Sequence, residues 1–424
     1  MMKKLLILGS GTAGTIMANK MRRSLKVSDW DITVLDKKDK HYYQPSQIFI
    51  PFQLYGYDDD KGCVHDSQDF IPKNVQLVIT EITKIDPDKH QVETRNGTYD
   101  YDWLVVTLGC RIAPEEIPGM VEGYGKNVHY FYTMKSALEM QKALKDFDGG
   151  KLVLNVAEYP IKCPVAPIEF ACLAHYYFEL RGIRDKVELE VVTSMDGIFS
   201  KPVSSKILGD MLIDRGIKIV PSFNLSEVDS EKGIIRSYEG KEVKYDFLAA
   251  IPPNLGPQVI EDSGLGDGSG YVPTNPNTLK ADHHDNIYVM GDCSNVKTSK
   301  AGSVAHFEAG IVAENLLREI HGMEPHPDFD GHSNCFIETG YHKAHLIDFS
   351  YLQEPVPGKL PFSFIGPFSL LKETRLNHWG KLFFRWYYWN ILLKDRYSKP
   401  MEYFLPSRMS SRGKRKSYMA KSSA

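Results

Sequence analysis

The chain opens with a short apolar run, Lys3–Leu8, which gives way to glycines at 9, 11 and 14 and then to helically spaced apolar positions as far as Ser24. A second apolar run, Asp31–Asp36, reads as another strand. Together they predict a βαβ unit of about thirty residues. The apolar part of the start, Leu5 to Leu8, is too short for the hydrophobic stretch of an export signal. It also leads into glycines rather than a cleavage site, so a buried first strand and no signal peptide are expected.

Two distant stretches share one order of elements. Residues 75–109 and 219–253 each run strand, charged turn, strand, glycine turn, Tyr-Asp (Tyr101-Asp102 and Tyr245-Asp246) and apolar strand. Lys151–Val156 and Val187–Ser194 precede the second copy as Lys3–Leu8 and Asp31–Asp36 precede the first. The pattern predicts an α/β protein with two tandem Rossmann-like domains. A further strand, Asp285–Asp292, ends in Gly-Asp, and a helix follows from Ala301 to His321. Beyond Gly322 prolines and aromatics rise and periodicity fades. The expected division is residues 1–115 with 278–325 as a discontinuous first domain, 116–277 as the second, and 326–424 as an aromatic-rich membrane-association region.

Composition narrows the function class. With 424 residues, 42% hydrophobic and 25% charged, the chain is ordinary globular protein, which excludes disordered and collagen-like readings. The 51 basic and 54 acidic residues nearly cancel, so nothing pulls the whole molecule toward nucleic acid, and none is expected as a partner. Six cysteines are too few for a secreted disulfide framework and point to a reducing compartment. No apolar run reaches the roughly 18–20 residues that span a bilayer.

The sequence Gly9-Ser10-Gly11-Thr12-Ala13-Gly14 follows a strand and opens a helix, the context a dinucleotide fingerprint requires. Gly9 permits the tight turn, Gly11 lets backbone amides approach a pyrophosphate, and Gly14 permits close helix–strand packing. Asp36, 22 residues after Gly14, is placed to accept from a ribose 2′-hydroxyl. Thr107-Leu108-Gly109 and Gly291-Asp292 resemble two further motifs of the two-dinucleotide flavoproteins. That resemblance implies FAD, with Lys37, Gln44, Pro45, Ile82, Thr107, Gly109, Gly291, Asp292, Lys300 and Ala301 along it.

Where a second fingerprint for NAD(P)H would stand, there is no glycine between Lys151 and Arg181. Pro160, Pro164 and Pro167 stiffen the turn and remove amide donors. A nicotinamide donor is therefore not expected, which sets aside the runner-up, a type II NADH:quinone dehydrogenase. Cys163 occupies the position instead, ahead of a helix and beside Lys162, a setting expected to favour thiolate.

His41–Pro45 (HYYQP), Lys162–Pro167 (KCPVAP), Gly291–Cys293 with Thr298–Lys300, and Asp330-Gly331 through Cys335 to Phe349 resemble the sulfide:quinone oxidoreductases. The resemblance runs nearly end to end. It implies that Cys163 and Cys335 are the redox pair, with Glu169 and Lys343 as proton or charge partners. It also implies that Phe336, Phe383 and Phe384 line a quinone route. Some members carry a third cysteine, absent here between Gly119 and Lys142, so FAD is expected to be non-covalent. Implied partners are hydrogen sulfide, a membrane quinone and a small sulfur acceptor, with a homo-oligomer left open. A flavocytochrome c sulfide dehydrogenase-like protein and a non-catalytic FAD-bearing scaffold are the remaining alternatives. Cys63, Cys110 and Cys293 are read as bystanders. Cys172 and His175 lack further ligands, and no metal is expected. His129, His306, His342 and His378 are read as ordinary polar histidines rather than proton shuttles.

In the C-terminal region Trp379, Leu382, Phe383, Trp386, Trp389 and Leu393 share one helical face, opposite Lys381 and Arg385. Aromatics against cations suit a helix lying in a bilayer interface. The tail adds Arg408, Arg412, Lys414, Arg415, Lys416 and Lys421 with no acid, which favours anionic lipid. The expectation is a monotopic membrane protein on the cytoplasmic face.

Overall fold

The structure, a computed structural model, describes residues 2–360 and 366–396. Its centre is two parallel five-stranded sheets of like construction. In the first, Lys3–Leu8 lies between Trp30–Asp36 and Trp103–Val106, with Gln76–Ile79 and Ile287–Val289 at the edges. In the second, Gly150–Val156 lies between Val187–Thr193 and Phe247–Ile251, with Ile217–Val220 and Val128–His129 outside them. Each sheet is accompanied by a three-stranded antiparallel meander, residues 82–100 in the first case and 225–244 in the second. The shared order of elements along the sequence thus becomes a shared strand order in space.

The central strands are buried on both faces, which is why they read as continuous apolar runs rather than alternating ones. The sheet order puts Lys3–Leu8 and Gly150–Val156 at the centres, so the turns after them open at the carboxyl ends of the strands. Ligands of open parallel sheets bind at this edge. The first sheet closes with Ile287–Val289, far along the chain, and this brings Gly291-Asp292 beside the first turn.

Beyond the second helix of this lobe, Gly302–Ile320, a hairpin of Ser333–Gly340 and Lys343–Phe349 pairs Cys335 with Ile347. A helix, Arg375–Tyr387, packs across the hairpin, its Thr374 cap accepting from the Asn377 amide. No helix among the described residues is long and apolar enough to cross a membrane. The basic tail from Arg408 onward lies outside the described residues.

Candidate active site

The first turn shows why glycine is needed. Gly9 has φ +101°, and a Cβ on Gly14 would stand 1.9 Å from the Gly9 carbonyl oxygen. Thr107 pins the turn, donating from Oγ1 to the Leu8 and Gly9 carbonyls at 2.7 and 3.1 Å. Gly11 and Gly109, by contrast, face open space, where a Cβ would meet nothing within 4 Å. Two glycines serve internal packing and two leave room. Asp36 accepts from the Ser10 amide and hydroxyl at 2.6 and 2.9 Å, and from the Lys38 amide at 2.9 Å. It therefore shapes the loop from the end of its strand.

The Gly291-Asp292 turn lies against this loop, with Ala13 Cβ 3.3 Å from where a Gly291 Cβ would be. Its amide is held by Glu308 Oε2 at 2.6 Å, and burial pushes the Glu308 carboxyl to about 7. Asp292 is half accessible yet ringed by protein, so desolvation raises its carboxyl. Lys300 Nζ donates to the Asp292 and Ser294 carbonyls, each at 2.8 Å, above the Tyr271 ring. Ala301 caps the following helix. Lys162 Nζ reaches Gln44 Oε1 at 3.0 Å, which joins the two lobes across the cleft. Pro45 starts the short 3-10 turn there, Lys37 is exposed, and Ile82 sits half buried at the start of the first meander. Room at Gly11 and Gly109, a helix N-terminus at Thr12 and a cleft-lining Asp292 fit an adenine dinucleotide carrying a flavin.

Cys163 lies in the left-handed region, φ +52°, unusual for a residue with a side chain and frequent at functional sites. Its amide donates to the Lys300 carbonyl at 2.6 Å, and the Lys162 amide donates to Asn254 Oδ1 at 3.1 Å. Second-lobe backbone is thereby fixed against the flavin lobe. The thiolate expected from Lys162 and the helix start does not follow. Lys162 Nζ turns away, to Gln44 and the Tyr132 carbonyl, and burial pushes the Cys163 thiol well up. Cys335 is likewise pushed up to about 12 by burial. The same charged neighbours, Glu169 and Lys381, act on both thiols, and Cys335 itself acts on Cys163.

Lys381 takes the place at the cysteines that the sequence reading gave to Lys343. Lys343 is 44% exposed and pairs with Glu373 at 3.6 Å. Lys381, read as a surface cation, is buried, bonded to Glu169 and to the Phe336 carbonyl at 3.1 Å, and poised over the Phe49 ring. Desolvation pulls its ammonium down, and Glu169 more than restores it. Helical spacing alone does not say which face is inward. Phe336 is half buried beside this pair and Phe384 half buried against Tyr43 and Tyr388, whereas Phe383 is 58% exposed and stacked on Trp386. His175 Nδ1 accepts from Arg184 Nε at 2.8 Å, and no three His, Cys, Asp or Glu side chains among the described residues are arranged to hold a metal.

The helix presents Leu376, Trp379, Phe383 and Trp386 outward, while Trp389 and Leu393 are buried rather than sharing that face. The cause is a π-turn over Tyr388–Leu392, in which the Leu393 amide reaches back five residues to Tyr388. One extra residue per turn rotates everything after it. Tyr388 then meets the first loop: its hydroxyl lies 2.7 Å from both Thr12 Oγ1 and His41 Nε2, and His41 Nδ1 lies 3.0 Å from the Ser10 carbonyl. Burial lowers His41 to about 4, so the neutral ring donates from Nδ1 and accepts Tyr388 at Nε2. Asn19 Nδ2 reaches the Leu393 carbonyl at 3.2 Å, and Asp395 pairs with Arg23.

The pyridine nucleotide-disulphide oxidoreductase family model matches residues 3–309. A mitochondrial sulfide:quinone oxidoreductase of Dictyostelium discoideum is 32% identical over 93% of this chain and 86% of its own length. The chain belongs to the sulfide:quinone oxidoreductase family. The mitochondrial sulfide:quinone oxidoreductase of Mus musculus is 26% identical, covering 94% of this chain and 88% of its own. The solved sulfide:quinone oxidoreductase of Aquifex aeolicus superposes with a TM-score of 0.76 at 21% identity, over 95% of this chain and 96% of that one. As a family member the chain is an FAD-dependent oxidoreductase. Residues the motifs did not single out, among them Glu308, Asn254, Tyr388 and Lys381, hold the oxidoreductase site together from distant parts of the sequence. No local pattern marks them.

Proposed function

We propose that the protein oxidises hydrogen sulfide through Cys163 and Cys335 and reduces a membrane quinone with the electrons. The observation that carries this is the convergence of both cysteines on one buried Glu169–Lys381 pair, in a lobe whose turn lacks the glycines for a second dinucleotide. FAD, held by Gly9 to Gly14, Asp36, Gly109 and Gly291-Asp292, supplies a two-electron carrier between the cysteines and the quinone when bound. Hydrosulfide attacks the oxidised cysteine pair. One sulfur keeps the incoming atom as a persulfide and the other leaves as thiolate. Because both thiols are pushed up by burial, Lys381 is the cation positioned to stabilise that thiolate. Glu169 takes up the proton of the hydrosulfide and shares it with Lys381. Phe336 and Phe384 flank the place where a quinone head would meet this pair.

The outward aromatic face is the membrane-contacting surface in this reading. Trp379, Phe383 and Trp386 are 61, 58 and 52% exposed, costly in water and suited to the headgroup–acyl boundary. Anaerobic addition of sulfide is expected to bleach the flavin absorbance, and added quinone to restore it. Bleaching by NADH and not by sulfide would overturn the reading.

A further inference from the structure

A line of buried polar groups leads from Glu169 toward the exposed tip of the hairpin at His342. The Glu338 amide donates to Glu169 Oε1 at 2.7 Å, and Glu338 Oε2 lies 2.9 Å from His378 Nδ1. Both Glu338 and His378 are fully buried. The His378 ring meets His342 edge-on at 5.2 Å between centroids, and His342, at the tip of the hairpin, is exposed. Tyr55 packs on both rings, at 4.6 and 5.3 Å, and its hydroxyl is pushed up by burial and then by the charge of Glu338. His378 Nε2 is buried here without a hydrogen-bond partner among the described residues, beside the Tyr55 hydroxyl and the Glu338 carboxylate, which act on each other. A purely structural network would satisfy its polar atoms. An open position of this kind accepts a bridging water, which a proton path through separated side chains needs.

We propose that His342, His378 and Glu338 form a proton inlet that carries solvent protons to the Glu169–Lys381 pair during quinone reduction. The inference rests on the proposed activity and assigns its proton supply. One hydrosulfide, one quinone and one proton give one zero-valent sulfur and one quinol. Sulfide loses two electrons and the quinone gains them. Of the two protons on the quinol, one comes from hydrosulfide at the cysteines and the other must come from water. Glu169 and Lys381 are both buried, so that second proton needs a route through protein. Lys381 donates to the quinone oxygen. Glu169 restores Lys381; Glu338 touches Glu169 through its backbone amide alone, so a bridging water passes the proton between the two carboxyls, and Glu338 is refilled through His378 and His342. The charged and titratable groups facing the path are Tyr55, Glu169 and Lys381. His345, on the adjoining strand, instead feels Glu373 and Arg215.

The test uses the FAD-loaded full chain and a short-chain quinone in stopped flow. In Glu338→Gln and His378→Ala, flavin bleaching by sulfide should keep its native rate. Flavin reoxidation by quinone should fall about a hundredfold, the scale of a lost general acid, with a larger solvent deuterium effect. Imidazole should restore the His378→Ala reoxidation rate, and His342→Asn should lose less because water substitutes at the surface. In the resting protein, the ¹⁵N signal of the His378 ring should move on Glu338→Gln, a readout that needs no turnover. Native reoxidation rates in both variants, or equal losses in both half-reactions, would overturn the inlet. Failure of sulfide to bleach the unaltered protein would instead overturn the proposed function.

Discussion

At the scale of single residues, chemistry is concentrated where burial and charge oppose each other. Cys163→Ser or Cys335→Ser should abolish bleaching by sulfide while the flavin spectrum and its bound amount stay native. Lys381 and Glu169 form a pair whose side chains are 10 and 2% exposed, so Lys381→Met leaves an uncompensated carboxylate. It should cost about 3–5 kcal/mol in chemical denaturation. Glu308 holds the Gly291 amide, and Glu308→Gln keeps an oxygen acceptor in place whereas Glu308→Ala does not. FAD affinity measured by flavin fluorescence should therefore survive the first change and fall in the second. The glycine fingerprint was legible because its demands are local: a positive φ at Gly9 and no space for a Cβ at Gly14. Lys381 was not, because its role depends on a carboxylate 212 positions away.

At the scale of elements, the C-terminal helix inverts the usual arrangement of a soluble amphipathic helix. Lys381 and Arg385 face protein while Trp379, Phe383 and Trp386 face out, with Arg385 over the Tyr57 ring at 4.8 Å. Trp379→Ser with Phe383→Ser and Trp386→Ser touches exposed positions, so fold stability should change little. Sedimentation with vesicles of mixed zwitterionic and anionic lipid should show binding reduced. Retained vesicle binding would leave the outward face without that role. Helical spacing placed Trp379, Phe383 and Trp386 on one outward face, but also Leu382, which packs against the core. It failed at Trp389 and Leu393 because periodicity assumes an unbroken α-helix, and the π-turn at Tyr388–Leu392 is not encoded by any apolar pattern. The two sheets were readable for the opposite reason: fully buried parallel strands stand out as apolar runs, and duplication showed each twice.

For the whole molecule, acid sensitivity follows from five histidines that burial keeps neutral. His41, His129, His175 and His345 are lowered to about 4 and His306 to about 3, desolvation leading in each. The unfolded chain binds protons at these rings below about 6.5 while the folded one does not. Stability is therefore whole above that pH and is lost as pH falls toward 4, at up to about 1.4 kcal/mol per pH unit for each ring. Glu308, raised to about 7, works the other way, as do Glu158, Glu169 and Asp292, whose carboxyls burial also raises. Urea midpoints measured between pH 7 and pH 5 should fall steadily. A flat profile would show these rings are not desolvated together. His41 belongs to the set, and with it Tyr388 and Thr12. The surface that would rest on lipid and the loop that would hold the dinucleotide are thus parts of one lever. Any force on the helix from a bilayer is delivered to Thr12 through a single phenol. Binding equilibria coupled this way are reciprocal: FAD must tighten vesicle binding by the same factor that vesicles tighten FAD. Removing the phenolic oxygen in Tyr388→Phe should weaken that coupling, and what survives runs through Asn19 and the Arg23–Asp395 pair.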